Sequence, residues 1–113
     1  MQVIFESRDI DAAQMREPSI EKVRFALRRL AALVQRAKVQ FSDVNGPRGG
    51  VDKRCQVEIT TDAVGTVVIA SLASDWRTAL DRSLGRAARV LKRSLQRRNK
   101  PSRNRSLALA VDP

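Results

Sequence analysis

Histidine and tyrosine are absent from the 113 residues, cysteine occurs once (Cys55), and the aromatic residues are Phe5, Phe25, Phe41 and Trp76 alone. Without histidine, the Ser-His-Asp and Cys-His nucleophile systems lack their base and the usual zinc ligand sets cannot be assembled. A single thiol excludes any disulfide within the chain. So few aromatics cannot furnish a sheet that stacks several unpaired bases, so a nucleic acid would be gripped by charge and shape. No apolar run approaches the roughly 20 residues that a membrane-spanning helix needs. Acids are also scarce. Twelve Asp and Glu face 22 Lys and Arg, and the formal charge of +10 points to a polyanionic partner.

The length suits one domain whose core is large enough to fold without staples. The opening MQVIFESRD lacks the basic-then-apolar pattern of a signal peptide, and with a lone thiol it predicts a cytoplasmic protein. The carboxylates Asp43, Asp52, Glu58 and Asp62 are scattered, with no base or ligand cluster near them in sequence. No catalytic residue, metal, cofactor or small-molecule substrate is therefore expected, and the chain does not read as an enzyme.

Residues 1 to 6, MQVIFE, suit a short first strand, and Asp9 and Asp11 are candidate helix caps. Ile20, Val23, Leu27, Leu30 and Val34 recur at steps of three and four, which predicts a helix over residues 20 to 36 with Lys22, Arg29 and Arg36 opposite its apolar stripe. Pro18 is either an interruption or a first-turn residue of that helix. Alternation predicts strands at 38 to 44, 53 to 61 and 65 to 73, the last two forming an antiparallel hairpin. Cys55, in phase with Val57 and Ile59, reads as a small buried residue. Asp75 is a good N-cap for a final helix over residues 76 to 98, and residues 99 to 113 read as a flexible basic tail with one apolar patch, LALAV. The order β-α-β-β-β-α predicts an α+β domain at 1 to 98: a four-stranded sheet with both helices packed on one face.

The strongest signal is the distribution of charge. Between residues 77 and 105 eleven Lys or Arg stand against one acid, Asp81. On a helical wheel Arg82, Arg86, Arg89, Arg93 and Arg97 share one face, and Leu80, Leu84, Ala87, Leu91 and Leu95 the other. Like charges at this spacing repel, so such a face destabilises its own helix unless phosphates neutralise it. The basic residues of the first helix are a weaker case because Glu17 and Glu21 lie close by. Phe25 on that side reads as packing under the N-terminal segment, with stacking on a base as the other reading. Trp76, at the edge of the apolar stripe, reads as core. The glycine-rich stretch Asn45-Gly46-Pro47-Arg48-Gly49-Gly50, followed by Lys53 and Arg54, is either a plain connection or a loop that touches phosphates. No GK[ST] follows, so it is not a P-loop.

The opening MQVIFESRD, the stretch VQFSDVNGPRGGVDKRCQVEI and the final helix DWRTALDRSLGRAARVLKRSL together resemble the ribosome hibernation-promoting factor and ribosome-associated inhibitor family, in its short form. In that family a K-L-x-R-Q-L-x-K run on the second helix contacts small-subunit rRNA. Here Arg86 stands for the first Lys, Arg89 for the Arg, Leu91 for the Leu and Arg93 for the last Lys. Gly85 stands where the family has an Asp, and Arg77 where a Tyr is common. The resemblance implies docking in the mRNA and tRNA channel of the small subunit and inhibition of translation during stress or stationary phase. It also implies that this chain, lacking the extra domain of long-form members, does not pair ribosomes. The expected RNA-binding residues are Arg82, Arg86, Arg89, Lys92, Arg93 and Arg97, joined by Arg28, Arg29, Arg48, Lys53 and Arg54. The free protein is expected to be monomeric and to have no membrane partner. The other readings are a general nucleic-acid-binding protein that uses the basic helix face without ribosome specificity, and an adaptor that uses the open sheet face or the LALAV tail.

Overall fold

The computed structural model describes residues 1–44 and 51–99; the loop that contains Arg48 and the tail beyond 99 lie outside the described residues. The chain runs β1 (Gln2–Ser7), α1 (Arg16–Ala26), β2 (Val34–Asp43), β3 (Lys53–Thr61), β4 (Gly65–Ala73) and α2 (Trp76–Asn99), with 3₁₀ turns at Ile10–Met15 and Ala31–Leu33. This is the expected α+β order. The sheet runs β1-β2-β3-β4, with β1 parallel to β2 and the other neighbours antiparallel. A parallel pair needs a crossover, and α1 supplies it.

Alternation divides the sheet into a covered and an open face. Phe5, Val39, Val57 and Ile69 form one cross-strand row of the covered face, and both helices pack there, α1 beside β1 and α2 across β3 and β4. On α2, Leu80, Leu84, Ala87, Leu91 and Leu95 are buried, as the wheel predicts, and Trp76 joins them. Fully burying a large aliphatic side chain stabilises by about 1.5–3 kcal/mol, so this face fixes the helix to the sheet. The Ser83 hydroxyl donates to the Cys55 carbonyl at 2.7 Å, a buried bond that also fixes the rotation of α2. Asp75 caps the helix: its Oδ1 accepts the Thr78 N–H at 2.8 Å and its Oδ2 accepts the Thr78 hydroxyl at 3.0 Å. Those bonds, the backbone one first, hold its carboxyl below the usual carboxylate range.

The first helix is shorter than its apolar spacing predicts and lies further upstream. Pro18 occupies its first turn, where a missing N–H costs nothing. The helix stops at Ala26; residues 27–30 form a turn, and Arg28 Nη1 donates to the Phe25 carbonyl at 2.7 Å, satisfying an end carbonyl. Leu27 and Val34 are buried all the same, one from the turn and the other from β2. A register shift between Val34 and Arg36 bulges β2, so that Val34 and Ala37, three apart, both face the core. Arg36 therefore lies on the open sheet face and not on a helix.

The β3–β4 hairpin forms at the predicted residues. Gly65, at φ 77°, closes its turn, and the Thr61 hydroxyl donates to the Gly65 carbonyl at 3.1 Å while accepting the Val64 N–H at 3.0 Å.

Phe41 joins the layers: its ring meets Phe5 edge-on, centroids 5.6 Å apart, and Trp76 at 5.3 Å. It is completely buried. Phe41→Ala is expected to lower stability by about 3–5 kcal/mol through the lost contacts and the cavity left behind, as measured by urea unfolding; a loss below about 1 kcal/mol would show that this cluster does not hold α2 to β1.

Candidate nucleic-acid interface

Since α2 turns its leucines to the sheet, its arginines have one direction left. Arg82, Arg86, Arg89, Lys92, Arg93 and Arg97 are all exposed. The acid among them, Asp81, is paired across the helices with Lys22, Nζ to Oδ1 2.8 Å. The positive face of α2 is thus unopposed along its length.

Two hollows extend that face on either side. Between α2 and the edge of β4 lies a cleft of about 450 Å3 lined by Arg54, Ser71, Leu72, Arg82 and Arg86. Arg82 Nη1 donates to the Leu72 carbonyl at 3.1 Å and Arg54 Nη2 to Gln56 Oε1 at 2.8 Å, so both guanidinium groups are held in place. On the other flank, a smaller recess of about 210 Å3 gathers Arg28 and Arg29, which follow α1, with Arg89 and Lys92 of α2. Arg28, Arg29 and Arg54, expected from sequence as partners of the helix face, are brought beside it. Arg93 and Arg97 continue the stripe beyond both hollows.

Lys53 is placed differently. Its Nζ hydrogen-bonds to Asp43 Oδ2 at 2.7 Å, stands 3.3 Å from Asp52 Oδ1 and lies 5.4 Å from the Trp76 ring centroid. Asp52 is completely buried, so Lys53 balances a carboxylate of the interior. Its bond to Asp43 is the main cause that raises its pKa. Arg48 lies outside the described residues.

Two of the carboxylates scattered in sequence, Asp43 and Asp52, thus meet at Lys53; among the described residues no group of three His, Cys, Asp or Glu is placed to hold a metal ion. No helix of the described residues is long and apolar enough to cross a membrane. Cys55 is buried, and burial pushes its thiol up to about 12.

No protein-family model and no curated protein matches the chain. Solved structures do. A ribosomal subunit interface protein from Coxiella burnetii superposes with a TM-score of 0.67 at 13% identity, over 85% of this chain and 99% of that one. The N-terminal domain of Thermus thermophilus Protein Y superposes with a TM-score of 0.64 at 21% identity, over 82% of this chain and 98% of that one. The chain has the fold of these two proteins. At such identities the likeness is one of fold, and the charges are this chain's own. Spacing along the sequence foretells the stripe on α2 but not the two hollows, because each needs residues that only the tertiary fold brings together. Arg36 and Lys38 are further basic positions, on the open sheet face and away from α2; Lys38 is paired with Glu6 at 3.4 Å.

Cys55 and Lys53 both hold their protons more tightly folded than unfolded. Their contribution to stability is therefore fully present below the unfolded pKa values and is lost as pH rises through the folded ones. For Cys55 that window runs from 9.0 to about 12. The urea midpoint is expected to stay level from neutral pH to about 9 and then fall, less steeply in Cys55→Ala. A thiol reagent at pH 8 should label Cys55 only after unfolding; rapid labelling of the native protein would contradict its burial.

Proposed function

We propose that this protein is a ribosome-associated hibernation factor that binds small-subunit rRNA through the outer face of α2 and, by occupying the mRNA and tRNA channel, inhibits translation under stress or in stationary phase. The observation that carries this reading is the unopposed arginine face of α2 on a fold shared with a ribosomal subunit interface protein. Arg86, Arg89 and Arg93 stand at its centre, Arg82, Lys92 and Arg97 extend it along the helix, and Arg28, Arg29 and Arg54 reach RNA that bends over either flank.

The physical rationale is electrostatic and steric. Structured RNA presents phosphates at fixed spacing and a major groove too narrow for side-chain reading, so a rigid helix that displays guanidinium groups recognises it by charge and shape. Each guanidinium donates to phosphate oxygens in a planar fork. Phosphates also relieve the repulsion among the arginines, so binding returns to α2 the stability that its sequence withholds. No bond is made or broken: the protein acts in the cytoplasm as a plug and a shield, without cofactor or metal.

Co-sedimentation through a sucrose cushion at physiological salt, with an equal mass of duplex DNA as competitor, tests this directly. Stoichiometric pelleting with the small subunit in the presence of DNA is expected. Loss to the DNA would instead favour a general nucleic-acid-binding protein. Arg86→Gln, Arg89→Gln and Arg93→Gln combined should abolish pelleting while leaving the circular dichroism spectrum intact. About six phosphate contacts predict a slope of roughly −4 to −5 in log K against log salt; a triple variant with wild-type affinity and slope would remove α2 from the interface.

A further inference from the structure

Phe25 is 68% exposed, contrary to the reading that it packs under the N-terminal segment. Its ring lines, with Ala26, Leu84 and Gly85, a largely apolar recess of about 580 Å3 between α1 and α2. Glu21, Lys22 and Asp81 also line it. Lys22 and Asp81 satisfy one another, whereas Glu21 has no ion-pair partner among the described residues. The space exists in part because residue 85 has no side chain: a Cβ there would meet only Arg89 Nη1, at 3.7 Å.

Arg28 lies over the Phe25 ring, 4.1 Å from its centroid, and is held there by its bond to the Phe25 carbonyl. A guanidinium on one face of an aromatic ring leaves the other face for a second π system. Ala26 borders both this recess and the basic one formed by Arg28, Arg29, Arg89 and Lys92. An apolar slot for a flat body therefore adjoins a cationic slot for its phosphate.

We propose that the recess between α1 and α2 receives an unpaired nucleobase of the bound RNA, stacked on Phe25, with its phosphate among Arg28, Arg29, Arg89 and Lys92 and its amino edge on Glu21. The inference rests on the polyanion-binding reading above and adds to it a site for one splayed base. Guanine fits best. Its N1–H and exocyclic amino group give two adjacent donors to one carboxylate, whereas uracil sets carbonyl oxygens on both sides of its single N–H.

Fluorescence anisotropy with the full chain and three end-labelled RNA hairpins, alike except for a bulged guanine, a bulged uracil or no bulge, provides the test. The bulged guanine should bind roughly fivefold or more tightly than the fully paired hairpin, as stacking of one base implies. Phe25→Ala, which removes the platform, and Gly85→Leu, which fills the recess and favours the helix, should each bring that ratio to about one while keeping affinity for the paired hairpin. Glu21→Gln should narrow only the difference between guanine and uracil. Equal binding of bulged and paired hairpins by the native chain, or an unchanged ratio in both Phe25→Ala and Gly85→Leu, overturns the proposal. If the chain still pellets with small subunits in that case, only the base site falls; loss of all RNA binding overturns the wider reading as well.

Discussion

The rotation of α2 about its own axis is the constraint from which the outer surface follows. Leu80, Leu84, Ala87, Leu91 and Leu95 enter the sheet, and the bond from the Ser83 hydroxyl to the Cys55 carbonyl leaves little room to turn. A buried hydroxyl without its acceptor costs about 1–3 kcal/mol, so a rotated helix would lose this bond as well as its apolar contacts. The arginines point outward because nothing else is sterically open to them. Phe41 extends the same constraint across the layer, since its contacts with Phe5 and Trp76 tie the start of α2 to β1 through β2.

The charge on α2 is held in place at some cost to the helix itself. Neighbouring arginines repel, and Gly85 in the middle weakens the helix by roughly 1 kcal/mol relative to Ala. The tertiary contacts of the opposite face outweigh both. Lys22 contributes from α1 by pairing with Asp81, which ties the helices together and leaves the arginines without an internal competitor. Lys53 shows the opposite use of a cation: it lies against Asp43, Asp52 and the Trp76 ring and serves the interior.

Much of this architecture is readable in the sequence, and the exceptions have physical causes. The strands at Lys53–Thr61 and Gly65–Ala73 and the helix from Trp76 stand where alternation, turn residues and the Asp75 cap place them. The region of Leu27 to Ala37 misleads because its apolar spacing imitates a helix. A turn buries Leu27, and the bulge in β2 brings Val34 and Ala37 to one face three residues apart, with no glycine or proline to mark the change. The parallel pairing of β1 with β2 likewise has no local signature. For the site, periodicity along one helix foretells the arginine stripe. The exposure of Phe25 and the ion pairs of Lys53 are not readable along the chain, because their surroundings come from other elements: α2 for one, Asp43 and Trp76 for the other.

The bond from Arg82 to Leu72 reaches beyond charge. Groups that point away from a neighbouring strand alternate along an antiparallel edge, so the outward Leu72 carbonyl marks Thr66, Val68 and Ala70 as the other positions whose backbone groups face out from β4. That strand, GTVVIASLA, carries no charge and no proline, and it leaves Val68 and Leu72 in water. Such an edge invites another strand. Arg82 occupies one of its carbonyls, that of Leu72, so a second chain that sought to lengthen the sheet would meet a cation at that end of the edge. Edge cover and charge display thereby meet in one side chain, and a neutral residue at 82 would loosen both together.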